Sequence, residues 1–243
     1  MNWLTDLKEK FILNFVEKSR YRYLLDGLGN TLIITLLSVM LGIVIGVIVA
    51  SVRSTYDKNS EAWKRRGGVF HVFMKAVNRL CHIYITVIRG TPVVVQLMIL
   101  YCVILASSRN DLLVAVLAFG INSGAYVAEI IRSGLMSIPK GQTEAGRSLG
   151  FNFYQTMIYI VIPQAVKNIL PALGNEMITL LKDTSLVSVI ALRDVTKQAQ
   201  NVVSVTYNAF VPYITLAIIY LVLVLLLTKL LSIFERRLRK SEH

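Results

Sequence analysis

Long uncharged stretches alternate with short basic ones along this chain. From Gly27 to Val52 no residue is charged, and at about 1.5 Å per residue such a run exceeds the roughly 30 Å of a bilayer's hydrocarbon core. A first membrane-spanning helix is expected there. Residues 90–108 are again uncharged and predict a second span, and a third begins after Asp111. Lys167 to Arg193 brackets a fourth, with Pro171 and Gly174 loosening its early turns, and a fifth runs from about Ala209 to Leu227 with Pro212 in its first turn.

Two segments have a different pattern. Val69 to Ile88 puts His71, Lys75, Asn78 and His82 on one helical face and Phe70, Phe73, Val77, Leu80 and Tyr84 on the other, which predicts a helix lying in the membrane plane rather than crossing it. Residues 1–26 alternate similarly and read as an amphipathic interfacial helix or an ordinary leader. The division expected is a leader over 1–26, a transmembrane domain over 27–235 and a basic tail over 236–243. No cleavable signal sequence is expected, since the first 28 residues hold no continuous apolar stretch.

Composition agrees. Of 243 residues 55% are hydrophobic and 16% charged, and the mean hydropathy is +0.60, which describes an all-α integral membrane protein. The net charge of +12 sits in short clusters beside apolar runs, where it sets orientation and meets anionic lipid; no nucleic-acid partner is expected. Cys81 and Cys102 lack partners at metal-ligand spacing and read as small hydrophobes. His71 and His82 read as solvated or headgroup histidines, with no metal site.

Polar positions inside the spans carry the chemistry. Thr35, Ser38 and Gly42 share a face of the first span, and Gly42 with Gly46 is a small-residue pair that permits close helix contact. Asn122, Tyr126, Glu129 and Ser133 share a face of the third. In the fourth, Glu176, Thr179 and Asp183 form a stripe, with Lys182 about 120° away from Glu176. Charges at membrane depth are functional or paired. Two readings stand here: a polar lining for an amino-acid substrate, or a structural pairing of Lys182 with Asp183 or Glu129.

Between the third and fourth spans lies GLMSIPKGQTEAGRSLGFNFYQTMIYIVIP, Gly134 to Pro163. Pro139 suits a helix start, Glu144 can meet Arg147 or Ser148 one turn on, and Gly150 ends the turn. Asn152 and Gln155 form a capping-box pair that opens a second helix. Glu144-Ala145-Gly146, Gly150, Ile160, Ile162 and Pro163 resemble the EAA loop of permease subunits in bacterial ATP-binding-cassette importers, with Gly146 for the second Ala of the pattern and Ile162 for its Leu. Arg89-Gly90-Thr91-Pro92 through Gln96, and Gly174 through Ile190, are similar to the polar-amino-acid branch.

The resemblance implies a type I importer permease fold: about five transmembrane helices, interfacial helices and a cytoplasmic coupling helix. It implies that Gly141, Glu144, Ala145, Gly146, Gly150 and Pro163 serve ATPase coupling; the polar positions within the spans, Gln96, Asn122, Tyr126, Glu129, Glu176, Thr179, Lys182 and Asp183, are expected to line the substrate path, the stripes of the third and fourth spans facing each other. The partners implied are a dimer of ATP-binding subunits, a second permease subunit, identical or related, an extracytoplasmic solute-binding protein and a polar amino acid. The chain carries no phosphate loop, triad or metal cluster, so no cofactor of its own is expected; ATP and Mg belong to the partner subunit, and the chain is not an enzyme. With the loop on the cytoplasmic side of a bacterial membrane, inner segments hold 17 Lys/Arg and outer segments 8, so the N-terminus lies outside and the C-terminus inside. A secondary transporter would need inverted repeats and a coupling-ion site; no repeat is visible. A membrane scaffold would not need three intramembrane charges.

Overall fold

The computed structural model describes residues 3–66 and 68–240, and among these every regular element is helical. Among the described residues four helices are long and apolar enough to cross a membrane, and a sharply bent pair brings the number to five if its two halves form one span.

The first long helix, α2 (Tyr21–Arg66), extends 46 residues, well past the expected end at Val52. Residues 53–66 contain no Gly or Pro, so nothing stops the helix before Arg66; Gly68, at φ +110°, lies just past its end. Its buried positions, Thr31, Ile34, Thr35, Ser38, Gly42 and Gly46, follow helical periodicity. That stripe lies on α5 (Asp111–Met136), the most enclosed of the spanning helices. The approach is reciprocal: a Cβ on Gly42 would meet Ser123 at 2.9 Å and one on Gly46 would meet Val127 at 2.4 Å, while from the other side Gly120 faces Leu41 and Gly124 faces Ile45. Small residues on both helices let the backbones close in where lipid supplies no hydrophobic drive. Ser38 Oγ donates to the Val116 carbonyl at 3.3 Å across this seam.

The span expected over residues 90–108 is not formed as such. Helix α3 (Val69–Gly90) is followed by α4 (Val93–Ile99) and a wide π turn to Ile104, at 109° to α3. Pro92 has no N–H and excludes Thr91 from the helical region, and Thr91 is extended at φ −121°, ψ 147°. Residues 93–104 alone would reach only about 18 Å, too short to cross. Helix α3 also packs on its neighbours: Tyr84, on its apolar face, donates to the Ile121 carbonyl of α5 at 2.6 Å, and Ile85 packs with Val49 and Ala128.

Past α5 come α6 (Lys140–Ser148), α7 (Phe153–Thr156), a π turn over Met157–Val161, and α8 (Ile162–Asp183), which runs into a 3₁₀ stretch over Thr184–Ile190. Gly174 marks a close approach, since a Cβ there would lie 2.3 Å from Leu231 of α10 (Phe210–Lys240); neither it nor Pro171 interrupts α8.

One helix was absent from the sequence reading: α9 (Val195–Thr206). Asp194 caps it, accepting from the backbone N–H of Lys197 at 2.8 Å and of Thr196 at 3.0 Å. Burial pushes that carboxyl upward in pKa, and the same hydrogen bonds oppose the rise. Residues 12–16 fold onto this lobe. Asn14 Oδ1 accepts from Thr206 at 2.7 Å, and Phe15 joins Leu24, Val195, Ala199 and Val202 in a buried cluster. The N-terminal helix α1 (Trp3–Phe11) leads into it.

Candidate functional site

The loop between the third and fourth spans folds largely from local rules. Pro139 starts α6, whose end is closed by Gly150 N–H to the Arg147 carbonyl at 3.0 Å and Phe151 N–H to the Gly146 carbonyl at 3.1 Å. This paired return is the Schellman arrangement, and it needs a left-handed residue after the helix; Gly150 supplies φ +86°. A Cβ there would meet nothing within 4 Å, so conformation rather than space demands glycine. Asn152 and Gln155 then make the capping box in both directions, each bond 2.9 Å.

Gly146 has a different reason. It is the buried residue of α6, and a Cβ would come within 2.7 Å of Ile160 and 2.9 Å of Thr156. The smallest side chain thus seats α6 on the following turn and leaves Gly141, Glu144 and Ala145 exposed on the opposite side. The Glu144 carbonyl, rather than its carboxylate, takes the Ser148 hydroxyl at 3.0 Å. Pro163 is exposed in the first turn of α8. Just before it, the Ile162 N–H reaches back to Met157 in a π turn, a wide spacing that leads into a residue unable to donate.

Within the membrane, the third-span stripe divides into three arrangements. Asn122 Nδ2 donates to Gln96 Oε1 at 2.9 Å. Gln96 Nε2 in turn reaches the Ile88 carbonyl at 2.7 Å, the Thr91 carbonyl at 3.1 Å and Thr91 Oγ1 at 2.7 Å. Both amide hydrogens and the oxygen are therefore engaged. Gln96 bridges the α3–α4 bend and ties it to α5.

One turn along α5, the Arg89 guanidinium lies 5.2 Å from the centre of the Tyr126 ring, a cation–π distance. Glu129 follows, held by Arg132 through two bonds and approached by Arg53 at 4.0 Å. Arg89, Tyr126, Glu129, Ser133, Ser137 and Asn168 line an open cavity of about 370 Å³. The third arrangement joins α5 to α8: Ser123 Oγ donates to Glu176 Oε1 at 3.0 Å.

The remaining positions are not drawn in. Thr179 is exposed and returns its hydroxyl to the Asn175 carbonyl. Lys182 is exposed and Asp183 half-buried. Among the described residues no ion pair within 4.0 Å joins Lys182 to Glu129 or Asp183, although Lys182 is near enough to act on the Asp183 carboxylate through space; the cations on Glu129 are Arg132 and Arg53. Four residues of these arrangements were missed as site residues: Arg53, Arg89, Ser123 and Arg132. Arg89 was legible as the first residue of its Arg-Gly-Thr-Pro stretch. Ser123 was hidden one position from Asn122, on a face that periodicity assigns to packing.

Comparison with known proteins follows the same lines. Residues 67–240 match the family model described as the binding-protein-dependent transport system inner membrane component. The glutamine transport system permease protein GlnP of Escherichia coli (strain K12) is 41% identical over 167 residues, 67% of this chain and 76% of that protein. The arginine transport system permease protein ArtQ of Bacillus subtilis (strain 168) is 44% identical over 162 residues, 65% of this chain and 74% of ArtQ. A crystal structure of an amino acid ABC transporter with histidines superposes with TM-score 0.78 at 40% identity, covering 98% of this chain and 99% of that one. The inward-facing MetNI methionine ABC transporter, at 21% identity and TM-score 0.72 over 90% of this chain and 97% of its own, shares the fold.

Proposed function

This chain belongs to the binding-protein-dependent transport system inner membrane component family, and from that membership we propose that it forms the translocation path of an ATP-driven importer for polar amino acids. It is a permease subunit; nucleotide hydrolysis, with ATP and Mg, belongs to a dimer of separate ATP-binding subunits. A second permease subunit, identical or related, completes the path, and a solute-binding protein delivers the amino acid from outside. Residues 27–235 make up the transport domain and residues 236–243 a basic anchor.

The observation that carries this reading is α6. It is a short helix fastened underneath by Gly146 and closed by Gly150 at φ +86°, and it presents Glu144 and Ala145 to a partner. A rigid helix so mounted transmits a push from a docked ATPase into α5 and α8, which flank it. Glu144→Lys and Gly150→Asp are expected to lower co-purification of the ATP-binding subunit and transport-coupled ATP hydrolysis, with the spans still folded. For Gly150→Asp the source is backbone strain on the order of 1 kcal/mol at a left-handed position; for Glu144→Lys it is reversed charge at the contact. Unchanged docking and hydrolysis in both variants would sink the assignment.

The orientation follows from the distribution of basic residues: N-terminus outside, C-terminus and α6 in the cytoplasm. In a Cys81→Ser/Cys102→Ser background, a cysteine placed at position 241 is expected to react with an impermeant thiol reagent only after the cells are opened. Reaction in intact cells reverses the topology.

A further inference from the structure

Three buried polar side-chain atoms lack a partner among the described residues: Arg53 Nε, His71 Nδ1 and Asn78 Oδ1. All three lie along one seam, between the C-terminal half of α2 and the first turns of α3. Orphaned buried polar atoms are uncommon and call for a ligand or ordered water. Of the three, Asn78 lines a cleft of about 540 Å³ whose polar walls are Tyr56, Lys75, Asn78, Arg79 and His82; His71 stacks on Tyr56 at its edge, and Arg53 turns toward Glu129. Three of those five side chains are basic and no carboxylate lines the cleft.

The surroundings define the occupant. Tyr56 stacks on His71, ring centres 6.4 Å apart and planes within 16°, and meets Trp63 edge-on at 6.4 Å; Trp63 in turn meets Phe70 at 5.1 Å. Such aromatic clusters sit at headgroup level. Beside the cleft, Val72, Phe73, Leu80 and Ile83 of the same helix are exposed, an apolar slope next to a cationic notch. A free phosphate would use the notch and leave the slope bare; a phospholipid uses both. We propose that the α2–α3 cleft binds the headgroup of an anionic phospholipid. Lys75 and Arg79 hold its phosphate, Asn78 Oδ1 accepts from a headgroup hydroxyl, and the acyl chains run along the exposed face of α3. Basic pockets between membrane helices recognise anionic headgroups in this way. The inference rests on membrane embedding alone and is independent of the transported solute.

The test uses the full chain purified with its ATP-binding subunit, in nanodiscs of phosphatidylcholine with or without phosphatidylglycerol, and reads co-retained lipid by native mass spectrometry. Lys75→Gln/Arg79→Gln is compared with Lys64→Gln/Arg65→Gln, an equal loss of charge at exposed positions outside the cleft. The native protein and the control are expected to retain phosphatidylglycerol, and the cleft variant to bind it about thirtyfold more weakly, the effect of two cations near an anionic surface. Melting in pure phosphatidylcholine separates folding from binding: all three melt together there, and only the native protein and the control gain from the anionic lipid. Should the double variant melt early, Arg79→Gln alone, read in the same way, decides. Equal retention by cleft and control variants, no retention by the native protein, or the same thermal gain from inorganic phosphate in pure phosphatidylcholine overturns the proposal.

Discussion

Gly46→Val is expected to remove nearly all folded protein from the membrane. A Cβ at this position would lie 2.4 Å from Val127 Cγ1, 2.6 Å from Val127 Cβ and 3.0 Å from the Ala128 nitrogen. Val127 is itself fully buried and cannot swing away, and the nitrogen belongs to the backbone of α5. The helices must separate, and the reciprocal contacts of Gly120 and Gly124 loosen with them. Overpacking of this kind costs roughly 3 kcal/mol, a large share of the stability of a single domain. Gly27→Ala should be similarly damaging despite adding one methyl, since the atoms it meets at 2.7–2.8 Å are backbone atoms of Asp194 and Val195. Gly29→Ala is the control: nothing lies within 4 Å, and alanine favours a helix interior by about 1 kcal/mol. The measurement is the yield of monodisperse complex and its melting temperature. Gly46→Val behaving like Gly29→Ala would show that the α2–α5 contact is looser than described.

Glu129→Gln should lower uptake per folded complex on the order of fivefold, the effect of about 1 kcal/mol expected for removing one partner of a partly exposed, hydrogen-bonded charge pair. Glu129 is the anion facing Arg132 and Arg53 beside a cavity that also holds Arg89. Neutralising it leaves a cluster of uncompensated positive charge, which repels a substrate's ammonium and above all a cationic side chain. Glu176→Gln should act more mildly and mainly on selectivity, because the amide can still accept the Ser123 hydroxyl now 3.0 Å from the carboxylate. Gln96→Leu provides the contrast. Every polar atom of Gln96 is already engaged across the bend, so its loss is expected to reduce the yield of folded complex and to spare selectivity in what survives. Uptake of several amino acids, normalised to folded complex, separates these outcomes. Unaltered uptake and selectivity in both carboxylate variants would exclude them from the substrate path; a fall in yield with selectivity intact would make them structural.

The sequence by itself determined whatever depends on neighbours a few residues away. The end of α6 at Gly150 and the Asn152–Gln155 capping box follow from backbone rules acting over six residues or fewer, and both are legible in advance; the break at Thr91-Pro92 obeys the same kind of rule but falls inside the span expected over residues 90–108. So was the inward face of α2, because Thr35, Ser38, Gly42 and Gly46 recur at the helical period in a run otherwise made of large aliphatic side chains.

Tertiary structure decided the rest. Hydropathy cannot distinguish an apolar residue packed on a helix from one facing lipid, since both environments exclude water. The apolar face of α3 is therefore legible but not its partner, which Tyr84 finds in α5, and α9, half buried and half polar, has no apolar run to announce it. A proline announces a break but not its angle, so the 109° bend, and the reach of Gln96 back across it, appear only when α3, α4 and α5 are together. Charge partners obey the same limit. Lys182 was the nearest cation to Asp183 in sequence, yet the anion that is paired at depth is Glu129, with Arg53 coming from a helix 76 positions away. Membrane burial requires that such a charge have a partner; Arg132, three residues on in the same helix, lies within the reach of local rules, whereas Arg53 is added only by the packing of α2 against α5.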